Sequence, residues 1–335
     1  MGYIGSKKAL LEFIHNTITE ITGYKDGDNY VFADLFAGTG IVGASYREKG
    51  CTVISNDLQY YSYVINKYLI ESNCNISKNL ITALNSLPEK DGFIYKNFCK
   101  NSNCERNYFK PENGKKCDAI RIEIENLYKK NEISETEYFC LLASLLHSID
   151  KFANTTGVYG AYLKFLKEPA KKDFELSVLP AIKGPVGKVY NENANDLIRK
   201  IHGDVLYLDP PYNDRQYCLN YHILETIAKY DEPELYGITG RRNIDGQKSK
   251  YCSKRTVEKE FEDLVKNANF KYIFLSYNDE GLLSLEKIKE IMSKHGEYKC
   301  YSTPYRRYKA DKETNRNIKR NETYEYLHCL IKKEE

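Results

Sequence analysis

The chain has 335 residues, 41% hydrophobic and 29% charged, which allows one large α/β domain with an insertion and excludes a disordered chain. The formal net charge is only +3, so attraction to a polyanion has to come from local clusters. No apolar signal region follows the opening Met-Gly-Tyr-Ile-Gly-Ser-Lys-Lys and no window approaches the roughly 18 apolar residues of a membrane span, so a cytoplasmic protein without membrane contact is expected.

In chain order, Leu10, Leu11, Ile14, Ile18 and Ile21 recur at helical spacing and predict a helix over 8–21. Residues 30–36 read as a buried strand that runs into Ala37-Gly38-Thr39-Gly40, with a helix over 41–49 stopped by Gly50. A second strand over 52–57 ends in Asp57, and 60–71 reads as helix. This β-α-β order with a Gly-rich first turn predicts a parallel, doubly wound sheet. From about 75 to 185 the pattern changes to helices, over 120–130 and 134–152, with little strand signal. Strands resume at 189–191, 205–209 and 272–276, with a helix over 257–266. Residues 298–308 and 323–331 flank a basic loop and predict a closing antiparallel hairpin. The expected organisation is a sheet domain from 1–74 and 186–335 around a mostly helical insertion, 75–185.

Asp209-Pro210-Pro211-Tyr212 stands at the carboxyl end of an apolar strand, the edge where open α/β sheets bind ligands. An adenine amine is a poor nucleophile because its lone pair is delocalised into the ring. Asp209 and the carbonyl of Pro210 offer two acceptors for its hydrogens, and Tyr212 offers a ring on which an extracted base can stack. The same tetrapeptide would also serve as an ordinary strand-to-turn transition. In Asp34-Leu35-Phe36-Ala37-Gly38-Thr39-Gly40 the glycines permit a tight turn and close backbone approach. Such a loop can hold a phosphate or merely turn the chain; its value lies in Asp57, where a carboxylate can take both ribose hydroxyls of a nucleoside. A third glycine at dinucleotide spacing and a Gly-Lys-Ser/Thr are both missing, which favours a phosphate-free nucleoside such as S-adenosylmethionine.

Two basic clusters are candidates for phosphate contacts. One holds Arg241, Arg242, Lys248, Lys250, Lys254 and Arg255; the other holds Arg306, Arg307, Lys309, Lys312, Arg316, Lys319 and Arg320. Solvated surface runs would look the same. Arg215 and Tyr217 lie beside the Asp-Pro-Pro-Tyr turn and either line a base pocket or bridge the loop. Tyr277 ends a strand on the same sheet edge and could meet the base too. The stretch 154–164 mixes hydrogen-bond donors with aromatics and reads as DNA-reading surface or packed loop. His222, on an apolar helix face, reads as structural. Ten scattered cysteines read as reduced thiols. Cys99, Cys104, Cys117 and Cys140 lack the closely spaced pairs of structural zinc, and no metal is expected.

These motifs, in this order, resemble the Dam-type class of adenine-N6 DNA methyltransferases, in particular its restriction–modification branch. Tyr3-Ile4-Gly5-Ser6-Lys7 resembles that class's N-terminal cofactor motif, with Tyr3 where Trp is frequent and Lys7 at the family lysine. Phe36, Ala37, Gly38 and Gly40 match the cofactor loop, Asp57 the ribose-binding acid, and Asp209 to Tyr212 the catalytic motif. Asn193 or Asp196 matches the family's adenine-contacting position just before the catalytic strand, where the family tends to Asp-Ala and this chain has Asn193-Ala194. The resemblance implies a Rossmann-like seven-stranded methyltransferase sheet with a helical insertion that recognises the target. It further implies S-adenosylmethionine as cofactor, double-stranded DNA as substrate, a flipped-out adenine, and direct transfer to its N6 amine. A cognate restriction endonuclease acting on the same site is an implied partner. The rivals are a cytosine-N4 DNA methyltransferase, an RNA or protein-amide methyltransferase, and a non-catalytic DNA-binding protein that keeps the fold.

Overall fold

The computed structural model describes residues 6–306 and 322–333, with side chains given for 6–304 and 324–333. Seven strands form a single sheet: β1 (Val31–Asp34), β2 (Thr52–Asn56), β3 (Lys188–Tyr190), β4 (His202–Leu208), β5 (Asn269–Asn278), β6 (Gly296–Arg306) and β7 (Glu322–Lys332). Their order is β3-β2-β1-β4-β5-β7-β6; β7 pairs antiparallel with β5 and β6, and every other pairing is parallel. The doubly wound sheet and the closing hairpin are therefore present as expected. Strand order reverses between β1 and β4, which places a topological switch point at their carboxyl ends.

Register explains why these strands stay in place. Ala33, Leu206, Ile273 and Leu330 line up across β1, β4, β5 and β7 and share one buried cluster with the helices Val257–Asn267 and Leu285–Ser293. Their neighbours Asp34, Tyr207, Phe274 and Cys329 form the next row, and side-chain alternation turns that row to the opposite face. On that face Phe32 stacks on Tyr46 of the helix Ile41–Glu48 at 3.8 Å between centroids. A one-residue slip would exchange the two faces.

The chain divides into two compact units. Among the described residues, one is built from Gln59–Ile182 and Tyr217–Gln247; the other, which contains the sheet, comprises 6–58, Lys183–Gln216 and the described residues from Lys248 onward. The helical unit is thus wider than 75–185. The helices Tyr60–Asn66 and His222–Lys229 share one buried core with Pro111–Lys129 and Glu135–Lys151. Buried charges join them: Glu225 accepts the Tyr61 N–H at 2.9 Å, and Arg121 donates to the carbonyls of Ile227 and Ala228 at 3.0 and 3.1 Å. These three bonds satisfy helix-end groups that would otherwise be buried unpaired. The helix Glu135–Lys151 starts where its sequence says it should, because Ser134 and Glu137 form a reciprocal capping box. No helix among the described residues is long and apolar enough to cross a membrane.

Candidate active site

Three loops leave the carboxyl ends of the neighbouring strands β1, β2 and β4. The loop after β1 turns through Gly38 and Gly40, at φ 52° and 73°, a region that side chains with a Cβ rarely adopt. The Ala37 N–H donates to the carbonyl of Asn56, and the Gly38 N–H donates to Oδ2 of Asp57 at 2.8 Å. Buried Asn56 donates to the carbonyls of Leu35 and Glu192, both at 3.1 Å, and accepts the Glu192 N–H at 3.0 Å. It thereby staples the β1 loop to the segment after β3. Sequence reading passed over Asn56; an amide inside an apolar strand, one residue before the acid, was the available signal.

Asp34 is 1% exposed, and its Oδ1 has no hydrogen-bond partner among the described residues. Burial, then the charges of Asp209 and Asp57, push its pKa up to about 8 against the pull of the Phe36 and Gly43 N–H groups. Asp209 follows β4 and meets Lys7, whose Nζ lies 2.9 Å from its Oδ1. Lys7 is 5% exposed and also lies 3.0 Å from Oε1 of Glu325 on β7. Burial works against the Lys7 charge, yet Asp209 and Glu325 outweigh it and hold the ammonium well above its ordinary range. For Asp209, burial raises the pKa, Lys7 lowers it and Glu325 raises it, leaving it at about 6. The acids Asp34, Asp57 and Asp209 thus crowd this sheet edge, an arrangement suited to a cationic nucleoside and hostile to a polyphosphate.

The family described as D12 class N6 adenine-specific DNA methyltransferase matches residues 3–294. The chain belongs to this class. It is 49% identical over 335 residues to Type II methyltransferase M.NlaIII of Neisseria lactamica, covering 99% of each chain. To Type II methyltransferase M.CviAII of Paramecium bursaria Chlorella virus 1 it is 38% identical over 316 residues, covering 92% of this chain and 93% of that one. Type II methyltransferase M.FokI of Planomicrobium okeanokoites is 41% identical over 348 residues, which cover 99% of this chain and 53% of that longer one. This D12 enzyme is accordingly a site-specific DNA methyltransferase that transfers a methyl group from a methyl donor to N6 of adenine.

Within the D12 enzyme, several side chains sit elsewhere than their sequence suggested. Tyr277 is 1% exposed, so it is closed to a base; its hydroxyl accepts the Leu283 N–H and its ring packs against Tyr212. Arg242 is 8% exposed and forks onto Asp231 at 2.9 and 2.5 Å, so it holds its own loop where an open phosphate contact was expected. Arg241, one residue earlier, is exposed. Asn193 caps the short helix Ala194–Leu197 by accepting the Asn195 N–H. Arg215 is exposed, and Gln216 beside it exchanges two hydrogen bonds with the backbone of Ser249. Tyr217 stacks on Tyr221 in the helical unit. Pro210 is buried and Pro211 half-buried. Phe36 packs edge-on to Tyr251. Tyr3 and Arg307 lie outside the described residues, as does the side chain of Arg306.

His222 is structural, as expected, with both ring nitrogens against carbonyls, of Leu219 and Thr239. The stretch 154–164 is anchored at two points: Asn154 is fully buried and bonded to the backbone of Asn107, Phe165 and Lys167, and Tyr159 is 1% exposed. Gly160 and Lys164 within it are exposed, as is the next residue, Phe165, at 85%. Among the described residues no group of three or more His, Cys, Asp or Glu is arranged to hold a metal ion.

Proposed function

We propose that this enzyme uses S-adenosylmethionine to methylate a flipped-out adenine in double-stranded DNA, as the modification half of a restriction–modification system with a cognate endonuclease. One observation carries the reading: Asp209 stands beside the Gly38 loop and Asp57 at the switch point, with its charge held by Lys7. The residues fit the proposed cofactor, since the crowded carboxylates suit its cationic groups and the unpartnered Oδ1 of Asp34 offers a buried acceptor. Asp57 would take the ribose hydroxyls, Phe36 and Ala37 would border the nucleoside, and Gly38 and Gly40 would admit it close to the backbone. Tyr3 and Lys7, from the N-terminal motif, and Asn193 would complete the surround. When bound, S-adenosylmethionine supplies an electrophilic methyl group.

The chain's own residues do the rest. Asp209 and the Pro210 carbonyl accept the two N6 hydrogens, which localises the lone pair and orients the amine. Pro211 continues the rigid turn and Tyr212 stacks on the adenine. As the N–C bond forms, the amine sheds one proton, and Asp209 is its acceptor. A base must leave the duplex to reach such a site.

The helical unit is proposed to read the target. Supporting this, Phe165 and Ile238 are 85% and 69% exposed, and residues 105–107 tether both loops. Asn107 donates to the Lys164 carbonyl at 3.3 Å, and Arg106 donates to the carbonyls of Gly237 and Ile238 at 3.1 and 3.2 Å. Exposed apolar side chains among basic ones suit insertion between base steps. Arg215, Tyr217, Arg241, Arg306 and Arg307 are proposed DNA contacts. The modification role draws on the relatives, which are named type II methyltransferases.

Expression in a methylation-free bacterium, followed by mapping of modified bases across its genome, tests the whole reading. N6-methyladenine at one short sequence, lost with Asp209→Ala, is expected. N4-methylcytosine in place of N6-methyladenine, or modification confined to RNA, would overturn it.

A further inference from the structure

We propose that Glu325, delivered by the last strand of the sheet, is a positioning residue that keeps Asp209 able to accept a proton although an ammonium group sits against it. This inference rests on Asp209 being the amine's acceptor. A carboxylate paired with a single buried lysine is held in its charged form and becomes a weak base. Proton acceptance by such a pair would leave an uncompensated buried cation. Here the ammonium of Lys7 is shared. It lies 2.9 Å from Oδ1 of Asp209 and 3.0 Å from Oε1 of Glu325, and the Ser276 hydroxyl donates to that same Oε1 at 2.8 Å.

Charge counting shows the consequence. Lys7 carries one positive charge and the two carboxylates carry two negative ones, so the buried group is an anion overall. One added proton makes it neutral, which is the cheaper state away from water. The other titratable groups facing Asp209 are Tyr207 on β4 and Asp34 at the end of β1, neither of which supplies positive charge. The reaction balances: N6 would gain a bond to the methyl carbon as the donor's sulfur–methyl bond breaks, the electron pair of that bond staying on the donor's sulfur as a neutral thioether, and the N6 proton passes to the Asp209 carboxylate and later to solvent. The pKa of Asp209 near 6 agrees with this arrangement, with burial and Glu325 raising it against Lys7.

Glu325 has a position that nothing local explains. It is 5% exposed on a strand whose neighbours Leu327, Cys329 and Leu330 are apolar core. A structural acceptor for Lys7 and Ser276 would need only an oxygen, which glutamine provides; basicity at Asp209 needs the charge.

Single-turnover methylation rates against pH, with duplex DNA and saturating S-adenosylmethionine, separate these roles. In Glu325→Gln the acid limb should move down by roughly one pH unit and the plateau rate should fall by about tenfold, following the loss of basicity at Asp209. KM for DNA should stay within about twofold of wild type, because no DNA contact is removed. Glu325→Asp, which keeps the charge, should restore the limb, and Ser276→Ala should leave it in place. Should Glu325→Gln fail to fold by circular dichroism, Lys7→Gln and Lys7→Gln/Glu325→Gln should show the same downward move of the limb between them. A limb unmoved by loss of the Glu325 charge, or rates lowered equally in the Asp and Gln variants, overturns the inference. Full turnover in Asp209→Ala would instead overturn the role of Asp209 itself.

Discussion

Tyr277 packs edge-on against Tyr212, with ring centroids 6.3 Å apart and planes at 79°. The residue expected to meet the base thus supports the residue that would. A Cβ on Gly281 would come within 2.0 Å of the Tyr277 ring, so the glycine is what admits it. The Leu282 N–H donates to the Tyr212 carbonyl at 2.9 Å, so the same loop fixes the backbone of the turn.

Gly281→Ala should therefore push Tyr277 towards Tyr212 and lower the methylation rate by about 10–100-fold while the protein stays folded. Tyr277→Phe, which keeps the ring and loses the bond to the Leu283 N–H, should keep the rate and lose about 1 kcal/mol of stability. Rate measurements beside thermal melts check both. A folded Gly281→Ala variant with the wild-type rate would remove Tyr277 from the support of Tyr212.

Asp57→Ala should weaken S-adenosylmethionine binding by about 1–3 kcal/mol, through lost ribose contacts and a loosened Gly38 turn. Calorimetry measures this directly. Unchanged affinity would show that Asp57 serves the loop alone.

Asp34 makes the fold pH-sensitive. Its folded pKa, about 8, lies above the ordinary 3.8, so the folded state binds this proton more tightly than the unfolded chain does. Its contribution is fully present below about pH 4 and is lost progressively as pH rises to about 8. Asp34→Asn cannot ionise and should escape that loss. Its melting temperature relative to wild type should rise between pH 5 and pH 8. Parallel pH profiles for the two proteins would contradict a protonated Asp34.

Arg241 and Arg242, adjacent in sequence, should differ in kind. Arg241→Ala should weaken specific and non-specific DNA binding together and flatten the salt dependence by close to one log unit of slope. Arg242→Ala strips Asp231 of its partner and should lower stability, with a smaller change in salt slope. A salt titration of DNA affinity distinguishes them. Lines for Arg241→Ala that coincide with wild type would return that arginine to the solvated surface.

The amino-acid sequence by itself located the seven strands, the Gly-rich turn after the first, the acids Asp57 and Asp209 one step beyond two of them, and the closing hairpin. Each is a local pattern: an apolar run, a residue able to turn, and a carboxylate one step beyond. The capping box at Ser134 was legible for the same reason, since its partners lie three residues apart. The tertiary structure alone decided what those residues meet. Lys7, Asp209 and Glu325 come from the start, middle and end of the chain, and only the placing of β7 beside β5 brings the third to the first two. Burial separates neighbours that look alike in a string of letters. Arg241 is exposed and Arg242 enclosed, and Phe165 is exposed while Tyr159 is enclosed. The helical unit also reached beyond 75–185, because which helices share a core depends on packing between segments more than a hundred residues apart, as with Tyr61 and Glu225. Hydrophobic periodicity shows that a face must be buried; it carries no information about which distant face will bury it.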